Sequence, residues 1–523
     1  MTRSARNAHI AGNGKSAAAK VRARLAHPVI DADGHFLELT PVLHGYFLDY
    51  AREIGGTDLP KKLETQGGLT YDTTVQHRWQ AMSEAQRRAG RVAKPPWWSL
   101  PGDTLDRATA LLPGLMHERM DALGIDYAVL YPSLALATSR LADDELRRVA
   151  TRALNKLIAE MFFPYGDRFT PAASIPMQTP EEAVEELRFC VRELGYKAAM
   201  LNGVVNRPLA GNAVGAAMVD GLAGQPSAGS GPGATWQDVL ALDGAYDYDP
   251  LWAACAELKV AVASHAGGQG FGTRRSLPSY VYNHIGAFAC GAEAFCKAVF
   301  LGGVTRRFPT LTFAYLEGGV GWAVQLYADL MGHWEKRGGA AIGSLDPAKL
   351  DTEMLLGLIE RYAGEQARPY AAALRSALEA KEPQPPVLDE FAAAGIASKQ
   401  DVYDQFVPRF YFGCEADDPT IAWAFNTKVN PLGARLRPMF SSDLGHWDVP
   451  DMTEVLPEAF ELVEHGLITE GDFEELAFAN AARLYGTLNP DFFKGTACES
   501  QVAALLAKDG AAAGKAKAGA KGR

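Results

Sequence analysis

Acidic and imidazole side chains stand at the ends of short apolar runs at five places along the chain. The side chains concerned are Asp31, Asp33, His35, His265, Glu317, Glu415 and Asp443. In the first run, Asp31, Asp33 and His35 occupy alternate positions, so on a strand they point to one side. Carboxylates and imidazoles that converge in a cleft are typical of a divalent metal site or of acid–base catalysis.

These side chains need a scaffold that brings the ends of distant runs together. Eight short apolar runs alternate with segments of helical periodicity, at residues 28–35, 126–132, 169–175, 198–202, 260–265, 311–317, 410–415 and 438–443. Such alternation favours a parallel sheet, and near-continuous apolar strands are typical of a closed (β/α)8 TIM barrel. We therefore predict an α/β fold of this kind. An open doubly wound sheet is the alternative, although no G-x-G-x-x-G follows the first run.

The chain is longer than a minimal barrel. We predict one barrel over residues 28–490, with large insertions after strands one, four and six. The predicted insertions span about 44–110, 204–249 and 335–405. Residues 1–27 are basic and predicted to be disordered, and residues 491–523 form a tail that is Ala/Gly/Lys-rich and disordered at its end.

Composition limits the functional classes. The 523 residues carry a net charge of −11, which argues against nucleic-acid binding. The six cysteines form no C-x-x-C pair, and no uncharged apolar stretch reaches 18 residues. We expect a cytoplasmic protein that acts on a small-molecule substrate, with no membrane or nucleic-acid partner, and that forms a homo-oligomer.

Several motifs, in order, resemble one family. Residues 29–38, VIDADGHFLE, are similar to the first-strand signature of the amidohydrolase superfamily, in the amidohydrolase-related branch of aminocarboxymuconate semialdehyde decarboxylase-like enzymes. Further similar stretches are residues 117–132, 264–268, 308–319, 441–448 and 478–486. The resemblance covers about residues 28–490 outside the insertions, and it implies a TIM barrel and a metal-dependent enzyme.

The resemblance also implies a set of metal ligands. Asp33 stands where many members have the first histidine of an H-x-H pair, followed by His35. His265 matches the fifth-strand histidine and Asp443 the eighth-strand aspartate, which would also accept a proton in catalysis. This set of nitrogen and oxygen ligands suits a divalent metal, zinc first and manganese or iron as alternatives.

Two departures from the family pattern affect the expected reaction. Glu317 occupies the place of an acid–base histidine found in decarboxylases of this branch, which weakens the decarboxylase interpretation. Glu317 and His284 are therefore candidate catalytic groups or ligands of a second metal ion, so that one or two ions are expected. The fourth strand ends at Asn202, where some binuclear members carry a carboxylated lysine, and no carbamate bridge is expected.

Further residues are candidates for substrate binding. They are Arg274, Asn202, His446 and Trp447. Arg274 lies in the loop after His265, where a guanidinium could bind a substrate carboxylate through two hydrogen bonds.

We expect a metal-dependent hydrolase that attacks a small carboxylated or cyclic substrate through a metal-activated water. The first alternative is a non-oxidative decarboxylase of an aromatic or enoic acid. The second is a di-iron oxygenase, and a non-catalytic scaffold is the alternative from another functional class.

Overall fold

Ten strands, eight of them in one parallel sheet, are found in the computed structural model, which describes residues 16–65, 73–95, 101–133, 138–208, 235–265, 276–380, 387–446 and 449–521. In chain order the strands are β1 Ile30–Phe36, β2 Tyr127–Pro132, β3 Phe169–Ser174, β4 Ala198–Leu201, β5 Val204–Pro208, β6 Thr235–Val239, β7 Val262–Ser264, β8 Phe313–Tyr315, β9 Phe410–Cys414 and β10 Pro438–Phe440. The eight predicted apolar runs correspond to β1–β4 and β7–β10.

The large sheet has the strand order β1-β2-β3-β4-β7-β8-β9-β10, and every neighbouring pair is parallel. Its two edges meet just beyond the ends of the strands. The Asp443 amide donates to the Asp33 carbonyl (3.2 Å), and the His35 amide donates to the Leu444 carbonyl (3.0 Å). The predicted (β/α)8 barrel is therefore confirmed.

Helices cover the outside of the barrel, with at least one between each pair of consecutive barrel strands. Their bounds are Ala17–Arg24, Thr40–Glu53, Leu59–Thr65, Thr73–Ala81, Glu84–Ala89, Thr104–Leu111, Pro113–Leu123, Asp144–Phe162, Pro180–Phe189, Asp249–Leu258, Tyr280–His284, Ala287–Leu301, Val304–Arg307, Gly321–Arg337, Thr352–Tyr362, Gly364–Ala367, Ala371–Glu379, Glu390–Ala393, Lys399–Phe406, Ile421–Ala424, Val455–Glu464, Glu470–Glu474, Asn480–Gly486 and Glu499–Lys521. Two π-helical turns occur at Cys190–Leu194 and Glu475–Ala479.

Burial explains why the strands carry so few polar residues. Every residue of the eight barrel strands is buried, since helices cover one face and barrel side chains fill the other. Aromatic rings of neighbouring strands stack beneath the helices, for example Tyr315 on Phe412 at 6.0 Å, with Trp322 of the helix Gly321–Arg337 against both. The polar groups that remain are concentrated at the carboxyl ends of the strands.

A two-stranded hairpin, β5–β6, follows β4 and flanks residues 209–234, which lie outside the described residues. Arg207 of β5 forms an ion pair with Asp238 of β6 and donates a hydrogen bond to the Gln178 carbonyl at 2.7 Å, which ties the hairpin to the loop after β3. The predicted insertion at 204–249 thus begins with strand β5 and contains strand β6.

Residues 1–15 of the predicted disordered tail lie outside the described residues, and the part of the tail that the structure describes differs from the prediction. Residues Ala17–Arg24 form a helix that Ser16 caps by accepting from the Ala19 amide. Arg22 pairs with Asp126 at 2.5 Å, and Ala18 is fully buried against the barrel. The prediction was wrong here because the basic residues were taken as solvated, whereas one of them binds an acidic partner more than 100 positions away.

The C-terminal tail also differs. A helix runs from Glu499 to Lys521, where a disordered end was predicted. Alanine and lysine have high helix propensity, and Val502 is buried and anchors the start of this helix. Arg483 adds an ion pair to Asp509 at 2.7 Å.

One helical segment of the described residues, Tyr280–Leu301, is long and apolar enough to cross a membrane by length and composition alone. Phe295, Cys296, Val299 and Phe300 on this segment are buried in the core of the barrel, which accounts for its apolar character.

Candidate metal centre and active site

Two buried imidazoles meet at the mouth of the barrel. His35 comes from β1 and His265 follows β7, where its amide donates to the Leu201 carbonyl of β4 at 3.2 Å. Their Nε2 atoms lie 3.2 Å apart, and their rings stand edge to face at 4.9 Å. Both side chains are fully buried, so these nitrogens face each other rather than solvent.

Asp33 completes a first group of converging ligand atoms. Its Oδ2 accepts from the Glu317 amide at 2.9 Å, which fixes the carboxylate. Its Oδ1 lies 3.5 Å from His35 Nε2 and has no hydrogen-bond partner among the described residues. A buried carboxylate oxygen without a partner is costly unless a cation binds it. Asp33, His35 and His265 place one ligand atom each within 4.8 Å of one another.

A second group shares His35 with the first and adds Glu317, Asp443 and His446. Asp443 Oδ1 lies 3.6 Å from His35 Nε2, and Glu317 Oε2 lies 2.8 Å from His265 Nε2. His446 stacks on His35 at 3.9 Å and places its Nδ1 2.6 Å from Asp443 Oδ1. The structure therefore brings six predicted site residues into one centre, Asp33, His35, His265, Glu317, Asp443 and His446.

Backbone strain accompanies two of these carboxylates. Glu317 and Asp443 have φ values of +53° and +48°, in the left-handed region that residues with a side chain rarely adopt. Such strain costs on the order of 1–3 kcal/mol and is characteristic of functional sites. Both amides donate to Asp33, that of Glu317 to the side chain and that of Asp443 to the carbonyl. Asp33 thus positions the two neighbouring carboxylates.

Asp31 belongs to neither ligand group. Its carboxylate accepts from the Ser442 amide (3.0 Å), from the Ser442 hydroxyl (2.5 Å) and from the Asp33 amide (3.2 Å). Burial raises the pKa of Asp31 to about 6, against the opposing effect of the Ser442 hydrogen bonds. Asp31 therefore ties β1 to the loop after β10, which carries Asp443, and holds the backbone of Asp33 through its amide.

Gly34 leaves the space that the Asp31 carboxylate occupies. A Cβ at this position would overlap Asp31 Oδ2 and lie 2.9 Å from Leu130 Cδ2. We expect Gly34→Ala to lower the free energy of unfolding by about 1–3 kcal/mol, measured by urea denaturation. The control Gly45→Ala lies in a helix with open space around its Cβ, and it should stabilise by about 0.5–1 kcal/mol. Equal effects of the two substitutions would contradict this packing.

Burial sets the protonation of the centre. It raises the pKa of Asp33 well above its usual range, helped by the Glu317 and Asp31 charges and opposed by His265. It lowers the pKa of His35, as do the neighbouring His446 and His265, and it lowers the pKa of His265. Neutral imidazoles have the lone pair that metal binding needs, and a cation would compensate the buried carboxylates. The described residues fit a divalent metal ion.

The other predicted site residues lie further out or cannot be placed. The ring of Phe288 lies 6.0 Å from that of His284 and 5.2 Å from that of His265. His284 joins neither ligand group, and its role stays a prediction. Asn202 directly follows β4 and has a buried Oδ1 with no hydrogen-bond partner among the described residues. Arg274 and Trp447 lie outside the described residues.

Three residues near the centre were not predicted. Ser133 Oγ lies 3.0 Å from His446 Nε2, and Gly413 leaves room for Asp33, whose Oδ2 would be 3.2 Å from a Cβ there. Arg140, beyond β2, is exposed, and its charge adds to the lowering of the His265 pKa that burial causes. The one usable signal in the sequence was their position, since each lies on a barrel strand or within eight residues after one.

Comparison with known families decides the assignment. A family model described as Amidohydrolase matches residues 30–381, more than half of the chain. The chain belongs to the amidohydrolase family. The resemblance inferred from the strand motifs is thereby confirmed, and the chain is an enzyme of the amidohydrolase superfamily.

Curated relatives of this amidohydrolase match over a limited part of their length. Gamma-resorcylate decarboxylase of Rhizobium sp. (strain MTP-10005) is 32% identical over 129 residues, which are 22% of this chain and 39% of the relative. The protein of the same name from Polaromonas sp. is 38% identical over 84 residues, 16% of this chain and 26% of the relative. The chain thus matches about two fifths or less of the length of these relatives.

Solved structures of low sequence identity are also similar. The 2,6-dihydroxybenzoate decarboxylase from Rhizobium has 18% identity and a TM-score of 0.42, covering 88% of this chain and 98% of its own. The 5-carboxyvanillate decarboxylase from Novosphingobium aromaticivorans, complexed with manganese, has 14% identity and a TM-score of 0.44, covering 88% and 96%. Because these TM-scores are below 0.5, the barrel assignment rests on the strand pairings of this chain.

Proposed function

We propose that this amidohydrolase is a metal-dependent decarboxylase that removes the carboxylate of a hydroxylated aromatic acid without an oxidant. The observation that carries this proposal is the similarity over 129 residues to relatives named as decarboxylases. These names favour the predicted alternative, a carbon–carbon lyase, over the hydrolase that was the main expectation. The ligand groups at the barrel mouth would supply the metal site for such a reaction.

Four side chains would hold the metal, namely Asp33, His35, His265 and Asp443. When bound, a divalent ion supplies positive charge for the carboxylate and hydroxyl oxygens of the substrate. Two carboxylates and two imidazoles accept manganese as well as zinc, and the oxygen share of the set favours the harder manganese. Glu317 lies beside His265 and would be available as a ligand of a second ion, so the proposal includes one or two metal ions.

Asp443 is the proton donor in this proposal. Its proton forms a bond to the ring carbon that carries the carboxylate, the carbon–carbon bond then breaks, and CO2 leaves while the ring recovers its electron pair. His446 contacts Asp443 through Nδ1 and Ser133 through Nε2, so it can return a proton to Asp443 from the Ser133 side. Proton transfer by a positioned group contributes about 10²–10⁴-fold to a rate.

Arg140 follows β2 and is exposed. It has no ion pair with another described residue, and its charge reaches His265. A guanidinium binds a carboxylate through two parallel hydrogen bonds. We assign Arg140 to a polar group of the substrate distant from the metal, a role that was predicted for Arg274.

The test is an anaerobic assay of the manganese-loaded and zinc-loaded protein with 2,6-dihydroxybenzoate and its positional isomers. We expect CO2 and the corresponding phenol in a 1:1 ratio, with benzoate, which lacks the hydroxyls, as an unreactive control. Hydrolysis of a lactone or amide without any decarboxylation of these acids would overturn the proposal in favour of the hydrolase. Turnover that requires oxygen would overturn it in favour of the oxygenase.

A further inference from the structure

A buried asparagine joins two connections of the barrel. Asn283 lies between β7 and β8 and is 4% exposed. Its Oδ1 accepts from the Ser276 amide at 2.5 Å, and its Nδ2 donates to the Ser276 carbonyl at 2.9 Å and to the Lys94 carbonyl at 3.2 Å. The Lys94 amide donates to the Ser276 carbonyl at 3.1 Å. Residues 92–95 and 276–284, which these hydrogen bonds join, are called the strap below.

The two parts of the strap come from opposite sides of the barrel mouth. Residues 92–95 belong to the connection between β1 and β2, and residues 276–284 belong to the connection between β7 and β8. In the ring of eight barrel strands β1 and β7 are four places apart, so these connections start on opposite sides. Both start at the carboxyl ends of the strands, where active sites of such barrels lie. The same two strands lead to His35 and His265 of the candidate centre.

Aromatic rings connect the strap to the candidate centre. The ring of His284 lies 5.6 Å from that of Tyr280 and 6.0 Å from that of Phe288, and the ring of Phe288 lies 5.2 Å from that of His265. Tyr280 is 6% exposed, whereas Ile285 is 68% exposed. Ring contacts on the buried side of the strap therefore lead to a proposed metal ligand.

Ser276 and Asn283 tether the inserted segment 77–95. In the described part of the chain, residues 77–95 bond mainly to one another, for example Arg88 to Glu84, and their hydrogen bonds to residues outside the segment are those with Ser276 and Asn283. No residue of this segment belongs to the hydrophobic core that the described residues form. Segments with few buried apolar contacts open locally at a low cost in free energy. The hydrogen bonds of Asn283 therefore control how often the strap opens.

We propose that Asn283 is a positioning residue that holds the strap closed over the metal centre, so that metal ions enter and leave when the strap opens. This inference rests on the metal site of the proposed function but not on the reaction. Closure of a site excludes water and strengthens the electrostatic interactions inside it. The hydrogen bonds of Asn283 go to Lys94 and Ser276 and not to a proposed ligand. Loss of Asn283 should therefore speed metal entry and release by the same factor and leave the dissociation constant unchanged.

Release of manganese from the loaded full chain into excess chelator tests the proposal. Asn283→Ala removes three side-chain hydrogen bonds, and we expect it to release manganese at least about tenfold faster than the wild type. Equilibrium dialysis should give an unchanged dissociation constant. Asn283→Asp keeps the acceptor for the Ser276 amide and should have an intermediate release rate. Wild-type release rates in both variants, or a dissociation constant that rises by the same factor as the release rate, would overturn the proposal.

Asn430→Ala is the matched control. Asn430 is also 4% exposed, and its Nδ2 donates to the carbonyls of Trp423, Ala424 and Ala434 in the connection between β9 and β10. The substitution removes as many hydrogen bonds from a buried asparagine outside the strap. It should lower the midpoint of thermal unfolding as Asn283→Ala does, but release manganese at the wild-type rate. Equal acceleration in the control would mean that Asn283→Ala acts by general destabilisation, which would overturn the proposal.

Hydrogen exchange of the metal-free chain tests the strap without metal or substrate. The Lys94 amide donates to the Ser276 carbonyl, so it should exchange at least about tenfold faster in Asn283→Ala and at the wild-type rate in Asn430→Ala. Unchanged exchange at Lys94 in Asn283→Ala would overturn the proposal. Faster exchange and faster metal release, with no decarboxylation of any hydroxylated acid by the wild type, would overturn the proposed function and support the strap.

Discussion

Asp443→Asn is expected to lower kcat by about 10³-fold while the barrel stays folded. The substitution keeps an oxygen near the ligand group but removes the carboxyl proton that the proposed reaction transfers to the ring. Asparagine tolerates the left-handed backbone of this position better than most residues. The hydrogen bond from the backbone amide of residue 443 to the Asp33 carbonyl does not depend on the side chain and is kept. Steady-state kinetics with saturating metal separates the loss of kcat from any loss of metal affinity.

Asp451→Asn is the matched control for this variant. Asp451 lies in the same loop after β10 but is exposed and accepts from the backbone and hydroxyl of Thr453. It should retain kcat within about twofold, as surface substitutions away from a site usually have small effects. If Asp443→Asn retained wild-type kcat at saturating metal, Asp443 would not be the proton donor.

Removal of the metal is expected to abolish turnover and to lower stability in a pH-dependent way. A ligand present at 100 times its dissociation constant stabilises the folded protein by about 2.7 kcal/mol, and chelation removes this contribution. The pKa of Asp33 is raised by burial, so below that pKa a proton competes with the metal for this carboxylate. Burial lowers the pKa values of His35 and His265, so a proton competes with the metal for these imidazoles only at a lower pH than it would for a free imidazole.

The sign of the pH effect follows from these shifts. The folded metal-free protein binds a proton on Asp33 more tightly than the unfolded chain does, so this group stabilises the metal-free protein as pH falls. Metal binding requires loss of that proton, so the affinity should fall by up to tenfold for each pH unit below the Asp33 pKa. Thermal unfolding of the loaded and metal-free protein at several pH values measures both trends. A stabilisation by metal that did not grow with pH would contradict the assignment of Asp33 as a ligand.

The barrel could be predicted because its strands are buried on both faces. Each of the eight apolar runs became a barrel strand, and the polar residues at the ends of the runs mark the carboxyl ends of the strands. The tails could not be predicted in the same way. Ala18 and Arg22 are ordered by partners far away in sequence, Thr453 and Asp126, which local composition does not reveal.

The candidate centre was predicted in its residue types but not in its geometry. Asp31 and Asp33 occupy equivalent alternate positions, and only the family resemblance singled out Asp33. In the structure Ser442 binds Asp31, so that Asp33 is the one of these two aspartates beside the imidazoles. The left-handed backbone of Glu317 results from tertiary contacts and has no local signal, because glycine is the residue that such a conformation favours. The sequence also offered His284 as a ligand, whereas in the structure His284 joins neither ligand group and contacts the ring of Phe288, which also contacts His265.

The central claim, proton transfer to a ring carbon followed by loss of CO2, is tested most directly by running the reaction in D2O without oxygen. Manganese-loaded protein and 2,6-dihydroxybenzoate should give CO2 and a phenol with one deuterium at the carbon that carried the carboxylate, detected by NMR and mass spectrometry. Asp443→Asn should give neither product at a comparable rate. A phenol without deuterium at that carbon, or an intact carboxylate after prolonged incubation with every hydroxylated acid tried, would contradict the account.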